Sequence, residues 1–212
     1  MNSPLTLSHL VADRMLDPVT ADQLVDHLRN KRRLLITGLP GTGKTTLLRA
    51  LALEAISSEQ SLVLLQPFDE VQAHPAFPHG VTITGPVIPL LLQTVALLRP
   101  DYVLINDMSW DADQLQALTA ERSAGVVSTL VMRSPEDVLS YVGWTTQRLS
   151  GDLRLSSAEL RAIVSRAWDL IVHCAWVTDQ DGQRRRQVTL VGTMQPDGSI
   201  VPWESFATAP VG

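Results

Sequence analysis

Leu34-Leu-Ile-Thr-Gly-Leu-Pro-Gly-Thr-Gly-Lys-Thr-Thr46 joins an apolar run to a glycine-rich loop. Its first four residues form an apolar run of strand length. Gly38-Leu39-Pro40-Gly41-Thr42-Gly43-Lys44-Thr45 then matches G-x-x-x-x-G-K-[ST] at every fixed position. Glycine tolerates positive φ and carries no side chain, so this backbone can wrap closely around phosphate oxygens. Its N–H groups and the start of the next helix would point at the anion. Lys44 is predicted to reach the β- and γ-phosphates, the Thr45 hydroxyl to ligate Mg²⁺, and Thr46 to join the nucleotide-binding residues Gly38 to Thr45. The expected ligand is a nucleoside triphosphate, ATP, with Mg²⁺.

The pattern around this loop predicts an α/β fold. Upstream, a short helix is expected around Leu7–Met15. Thr20-Ala-Asp-Gln23 has the spacing of a capping box and opens a second helix to about Asn30. Downstream, the loop feeds a helix from Lys44 to about Ser57, then a strand at Leu62–Leu65. Residues 67–88 are rich in proline and glycine and read as loop, with a short strand near Val81–Thr84. Helices at Pro89–Leu98, Asp111–Arg122 and Pro135–Leu149 (capped by Ser134) alternate with strands at Tyr102–Asn106 and Val126–Leu130. Ser156-Ser-Ala-Glu159 has capping-box spacing for a helix to about Trp168. Strands at Leu170–Val177, Arg185–Thr193 and Ser199–Trp203 are separated by turns at Asp179-Gln-Asp-Gly182 and Pro196-Asp-Gly198. Alternating strand and helix over the first two-thirds implies a mainly parallel sheet covered on both faces. The last third adds antiparallel strands. The chain reads as a lead-in over residues 1–19, one domain over 20–206 and a tail over 207–212.

Composition narrows the function classes. The 212 residues suffice for one sizeable α/β domain. At 45% hydrophobic and 18% charged, the chain is not of disordered composition. A net charge of −5 argues against a uniformly basic, nucleic-acid-binding surface. The single cysteine, Cys174, permits no internal disulfide and reads as a buried small hydrophobe, which fits a reducing compartment. No apolar stretch reaches the length of a membrane-spanning helix, and the N-terminus has no signal-peptide pattern. The expected location is the cytoplasm.

A phosphate-binding loop that supports hydrolysis needs an acidic residue at the end of a neighbouring strand. Tyr102-Val-Leu-Ile-Asn106-Asp107 supplies Asp107, as a catalytic carboxylate and a Mg²⁺ partner through water. Glu70, shortly after the Leu62–Leu65 strand, is the second catalytic candidate.

The order of these motifs resembles the RecA-like secretion-traffic ATPases of type II and type IV secretion, conjugation and tight-adherence pili. Leu7-Ser-His-Leu-Val-Ala through Lys31-Arg-Arg-Leu-Leu-Ile-Thr-Gly is similar to the segment entering their P-loop. Leu91-Leu-Gln-Thr-Val-Ala-Leu-Leu-Arg-Pro-Asp-Tyr-Val-Leu-Ile looks like their helix and Walker B strand. Ser128-Thr-Leu130 resembles the start of their histidine box. Asp169-Leu-Ile-Val-His173 with Asp181-Gly-Gln-Arg is similar to their late strand and hairpin. The resemblance implies a RecA-like fold covering the ATPase domain only. It implies an ATP-hydrolysing motor module of a secretion or pilus-assembly system, working as a homo-oligomer (a hexamer) against an inner-membrane platform protein, with no direct nucleic-acid contact.

Departures from the family pattern motivate an alternative, with the motor remaining the first reading. The usual Gly-Glu of Walker B is Asn106-Asp107, and the arginine two places later is Ser109. Thr-Gly-His and the second histidine of the histidine box are replaced by Glu121-Arg-Ser123 and Val131. The acidic pair of the Asp box is Gln66-Pro67, although Glu70 is kept. Leu97 replaces an arginine, while Arg99 stays. Loss of an arginine finger slows turnover by about 10³–10⁵-fold. Shortening Glu to Asp withdraws the carboxylate by about 1.5 Å, and a displacement of about 1 Å can cost roughly 10²-fold. The alternative is a catalytically degenerate nucleotide-binding subunit that assembles with or regulates an active motor. A small-molecule phosphotransferase is disfavoured, since no arginine-rich lid is evident.

Other residues read more simply. His173 suits a satisfied core histidine, and His74 and His79 a solvated loop. Trp110, Trp144, Trp168, Trp176 and Trp203 suit core and edge packing. Arg184-Arg-Arg186 suits a solvated strand edge, or a contact with a neighbouring subunit's nucleotide.

Overall fold

The computed structural model describes residues 5–71, 76–85, 95, 97–107, 109–120, 123–150, 155–179 and 181–206. Helices α1 (Leu7–Ala12) and α2 (Pro18–Arg29) lead into β1 (Arg33–Gly38). Next come α3 (Lys44–Ala55), β2 (Leu62–Gln66), β3 (Gly80–Thr84) and β4 (Tyr102–Ile105). Then follow α4 (Ala112–Ala120), β5 (Gly125–Val131), α5 (Val138–Ser150) and α6 (Ser157–Ala167). The chain closes with β6 (Leu170–Thr178), β7 (Arg184–Met194) and β8 (Ile200–Pro202).

One sheet joins all eight strands in the order β3-β2-β4-β5-β1-β6-β7-β8. The pairings from β3 to β6 are parallel, and β7 and β8 add antiparallel. Both faces are covered because the central strands alternate between two cores. Leu34 and Ile36 face the core built with α1, α2 and α3, whereas Leu35 faces that of α4, α5 and α6. Leu24 and Leu28 lie one turn apart on α2 and are fully buried in the first core. Each such leucine contributes about 1.5–3 kcal/mol. Leu7, Leu10 and Met15 of the lead-in are buried there too.

Two helix starts differ from the sequence expectation. The cap of α2 is Asp17, whose carboxylate accepts from the Thr20 N–H at 2.9 Å and the Thr20 hydroxyl. Pro18, whose ring presets a helical φ, takes the first position, so the helix begins two residues before Thr20. Ser134 makes no side-chain cap bond. Its hydroxyl turns to Glu136, and Pro135–Asp137 form a 3-10 turn before α5 starts at Val138. The capping box of Ser156 and Glu159 forms as read. The expected helix at Pro89–Leu98 falls mostly outside the described residues; residues 95, 97 and 98 are helical.

Candidate nucleotide site

The phosphate loop leaves the C-terminal end of β1 at the centre of the sheet. Gly38 has φ +147°, and a Cβ there would stand 2.3 Å from the Cys174 carbonyl oxygen and 2.6 Å from Thr42 Oγ1. Only glycine lets the loop turn this close to β6. Leu39, Pro40 and Gly41 are exposed at the loop tip. Buried Thr42 braces the loop by donating its hydroxyl to the Leu39 carbonyl at 2.8 Å. Gly43 is left-handed, at φ +98°, and provides no side-chain cap for α3. The first-turn N–H groups of α3 therefore face the concavity of the loop without a capping side chain, an arrangement suited to an anion.

Lys44, Thr45 and Thr46 form the first turn of α3. Lys44 lies across the loop, its ammonium donating to the Leu39 carbonyl at 3.1 Å. Burial pulls its pKa below the usual lysine value, and the Asp107 and Glu70 carboxylates oppose that pull. A buried cation short of counter-charge suits a polyanionic ligand. The half-buried Thr45 donates its hydroxyl to Asn106 Oδ1 at 3.1 Å.

Asn106 is the hub of the site. It is fully buried at the end of β4, two strands from β1. Its amide oxygen also accepts from the Thr129 hydroxyl on β5 at 3.0 Å, and its Nδ2 donates to Glu70 Oε2 at 3.2 Å. The sheet order thereby connects Thr45 on α3, Thr129 on β5 and Glu70 after β2 through one amide.

The two predicted carboxylates are placed differently. Glu70 is exposed but tethered at both ends. Its side chain meets Asn106, and its N–H donates to the buried Gln66 Oε1 at 3.2 Å. Gln66 Oε1 also accepts from the Val71 N–H at 3.0 Å, while its Nε2 donates to Asp69 at 3.0 Å. Gln66, which stands where the resemblance leads one to expect an acid, thus shapes the turn carrying Glu70. Asp107 is exposed at φ +50°, and its N–H donates to Thr129 Oγ1 at 2.7 Å. That turn ends the strand and carries Asp107 out of it.

These groups are hard oxygen donors, which fit Mg²⁺ held jointly with phosphate oxygens. Thr45 keeps oxygen lone pairs free after donating its proton to Asn106. Thr129 lies in the Ser128-Thr-Leu130 stretch likened to the histidine box, but its contacts with Asn106 and Asp107 were not foreseen, although a polar residue inside a buried strand beside a phosphate loop was a usable signal. Of the boxes in question, Ser109, Ser123 and Val131 are exposed.

Cys174 is fully buried and free, its thiol pushed up to about 12 by burial. His173 is buried with Nδ1 2.8 Å from the Thr37 hydroxyl, and burial lowers its pKa. Both are core residues, as read. Trp110 and Trp168 pack edge to face in the core, while Trp144 and Trp176 are exposed.

Comparison with known proteins agrees with this architecture. A family model described as Novel STAND NTPase 3 matches residues 19–81. A conjugal-transfer protein of Mycobacterium tuberculosis is 27% identical over 206 residues, covering 92% of this chain and 55% of its own length. The type IV secretion system protein PtlH of Bordetella pertussis is 28% identical over 193 residues, covering 84% of this chain and 56% of its own length. The chain spans about half the length of the curated relatives it matches. Among solved structures, the VirB11 ATPase of the Brucella suis type IV secretion system superposes with a TM-score of 0.72. It is 20% identical, and the match covers 91% of this chain and 57% of that one. The ATPase DotB of Legionella pneumophila gives 0.63 at 17% identity, over 90% of this chain and 51% of that one. The chain has the fold of these ATPases, and the resemblance in its sequence to type IV secretion and conjugal-transfer proteins runs over most of its length.

Proposed function

We propose that this chain is the nucleotide-binding ATPase module of a type IV secretion or pilus-assembly motor. The observation that carries the reading is the phosphate loop at Gly38–Thr45, linked through Thr45 and Asn106 to Glu70. The sequence resemblance to secretion and conjugal-transfer proteins supports the motor context. ATP is the ligand in this reading. Gly38 to Thr46 cradle its phosphates, and Lys44 meets the terminal ones. Thr45 would hold Mg²⁺ directly and Asp107 through water, and the ion would supply neutralisation of charge on the phosphate oxygens. Asp107 and Glu70 are the carboxylates available to orient an attacking water. Residues 20–206 work as one unit.

The assembly in this reading is a homo-hexamer in the cytoplasm, docked on an inner-membrane platform protein. Exposed Trp144 and Leu149 on α5 supply apolar surface for subunit contacts. No described helix is long and apolar enough to cross a membrane.

One observation favours a second reading, in which nucleotide binds but turns over slowly. Asp107, the shorter acid in place of the usual glutamate, is exposed and is carried out of the strand by a left-handed turn at φ +50°. In that case the chain assembles with or regulates an active motor. Nucleotide affinity, phosphate release and oligomeric state, measured on the wild type and on Lys44→Ala, test both readings. Both require ATP binding that Lys44→Ala abolishes. Steady-state phosphate release lost in Lys44→Ala selects the motor. Binding without turnover selects the regulatory subunit. Nucleotide binding unaffected by Lys44→Ala would sink both.

A further inference from the structure

The phosphate loop has two flanks, and Asn106 and Glu70 occupy only one, on the β4 side. On the other flank, β1 ends at Gly38, paired with Cys174, but β6 continues to Thr178. It pairs there with β7 from Arg184, and a bulge between His173 and Cys174 bends this two-stranded arm. The arm therefore forms a wall beside the loop.

Its exposed face carries one aromatic ring and two cations. Trp176 is 42% exposed, and the guanidinium groups of Arg184 and Arg186 each lie 5.3 Å from its ring centroid. Arg185 points to the opposite face and pairs with Asp179 at 3.9 Å. Arg186 reaches the loop itself. A Cβ on Gly43 would stand 3.4 Å from Arg186 Cδ and 3.0 Å from Met15 Cε. Met15 is tied to the arm through its carbonyl, which accepts from the Val188 N–H at 2.7 Å.

We propose that Trp176 and Arg186 receive the nucleoside end of the bound nucleotide, in the same chain as the phosphate loop. This inference rests on the nucleotide-binding reading above and gives that site a second flank. Terminal phosphates lie toward Asn106 and Glu70, so a nucleotide running along the loop brings its base to the arm. An indole face stacks on any base. A guanidinium beside Gly43 meets the inner phosphate, and its plane also stacks. Arg186 thus serves the chain's own nucleotide, not a neighbour's.

The test is calorimetric titration with ADP and with pyrophosphate, which lacks the nucleoside. Trp176→Ala should weaken ADP by about 5- to 100-fold and leave pyrophosphate within about twofold, the range base stacking commands. Trp176→Phe, which keeps a ring and guards against misfolding, should retain ADP within about threefold. Arg186→Ala should weaken ADP by about tenfold, the scale of one charge-assisted contact. ADP affinity unchanged in both alanine variants, with Lys44→Ala still abolishing it, overturns the inference and leaves the nucleotide-binding reading intact. Equal losses of ADP and pyrophosphate in Trp176→Ala also overturn it. A wild-type protein that binds neither ligand overturns both.

Discussion

The Thr45 hydroxyl donates to the amide oxygen of Asn106 at 3.1 Å, so the loop residue proposed as the Mg²⁺ ligand leans on a neutral side chain. The other end of that amide donates to Glu70 at 3.2 Å. Thr45 and Glu70 are thereby coupled without a negative charge between them.

Asn106→Asp removes the donor to Glu70 and sets two carboxylates against each other. The expected cost is about 1–2 kcal/mol, a fall in Tm of about 3–6 °C for a chain of this size. With ADP present, Mg²⁺ should restore more stability to the variant than to the wild type, because a cation relieves that repulsion. Thermal denaturation with ADP, with Mg²⁺ or EDTA, reads this directly. An equal response in the two proteins would show that position 106 does not face the cation.

Gln66→Ala tests the turn that carries Glu70. Gln66 is fully buried and accepts from the N–H groups of Glu70 and Val71. Its loss leaves a buried donor unsatisfied, at about 1–3 kcal/mol. Denaturant unfolding should show that loss while ADP affinity holds within about threefold, since the loop on β1 is untouched. A large drop in affinity would mean that Gln66 supports the loop.

Gly38→Ala and Gly41→Ala should differ sharply. Both glycines have positive φ, but a Cβ at Gly38 meets Cys174 and Thr42, whereas one at Gly41 meets nothing within 4 Å. Gly41→Ala should cost only the left-handed strain, about 1–2 kcal/mol. Gly38→Ala adds a backbone clash and should lower Tm further, by more than about 5 °C beyond Gly41→Ala. Similar Tm values for the two would contradict the close approach of the loop to β6.

Lys44 gives a pH dependence. Burial sets its folded pKa below the ordinary 10.5. The unfolded chain therefore binds this proton more tightly, and the protonated form opposes folding. That penalty is fully present below the folded pKa and is relieved as pH rises through it toward 10.5. Lys44→Met should raise the Tm of the nucleotide-free protein at neutral pH, and the difference should shrink in alkaline buffer. Tm against pH for the two proteins checks it; a variant less stable than the wild type at neutral pH would refute it.

Much of the fold was legible because its signals are local. The apolar run before Gly38, the glycine spacing to Thr45 and the capping box at Ser156 depend on neighbours within a few residues. Caps were less secure. Asp17 outcompeted Thr20 because Pro18 fits only the first turn of a helix, and a capping-box spacing cannot register that preference.

The phosphate loop, the alternation of strand and helix around it, and the candidacy of Asp107 and Glu70 are all legible in local spacing. That Asn106 joins Thr45, Thr129 and Glu70, and that Arg186 lies against Gly43, emerges from packing across the sheet. Asn106 is 61 residues from Thr45 and 36 from Glu70. What brings them together is strand order, with β4 between β2 and β5. A side chain's nearest chemical partner across such a sheet is set by packing over the whole chain, which no short spacing encodes.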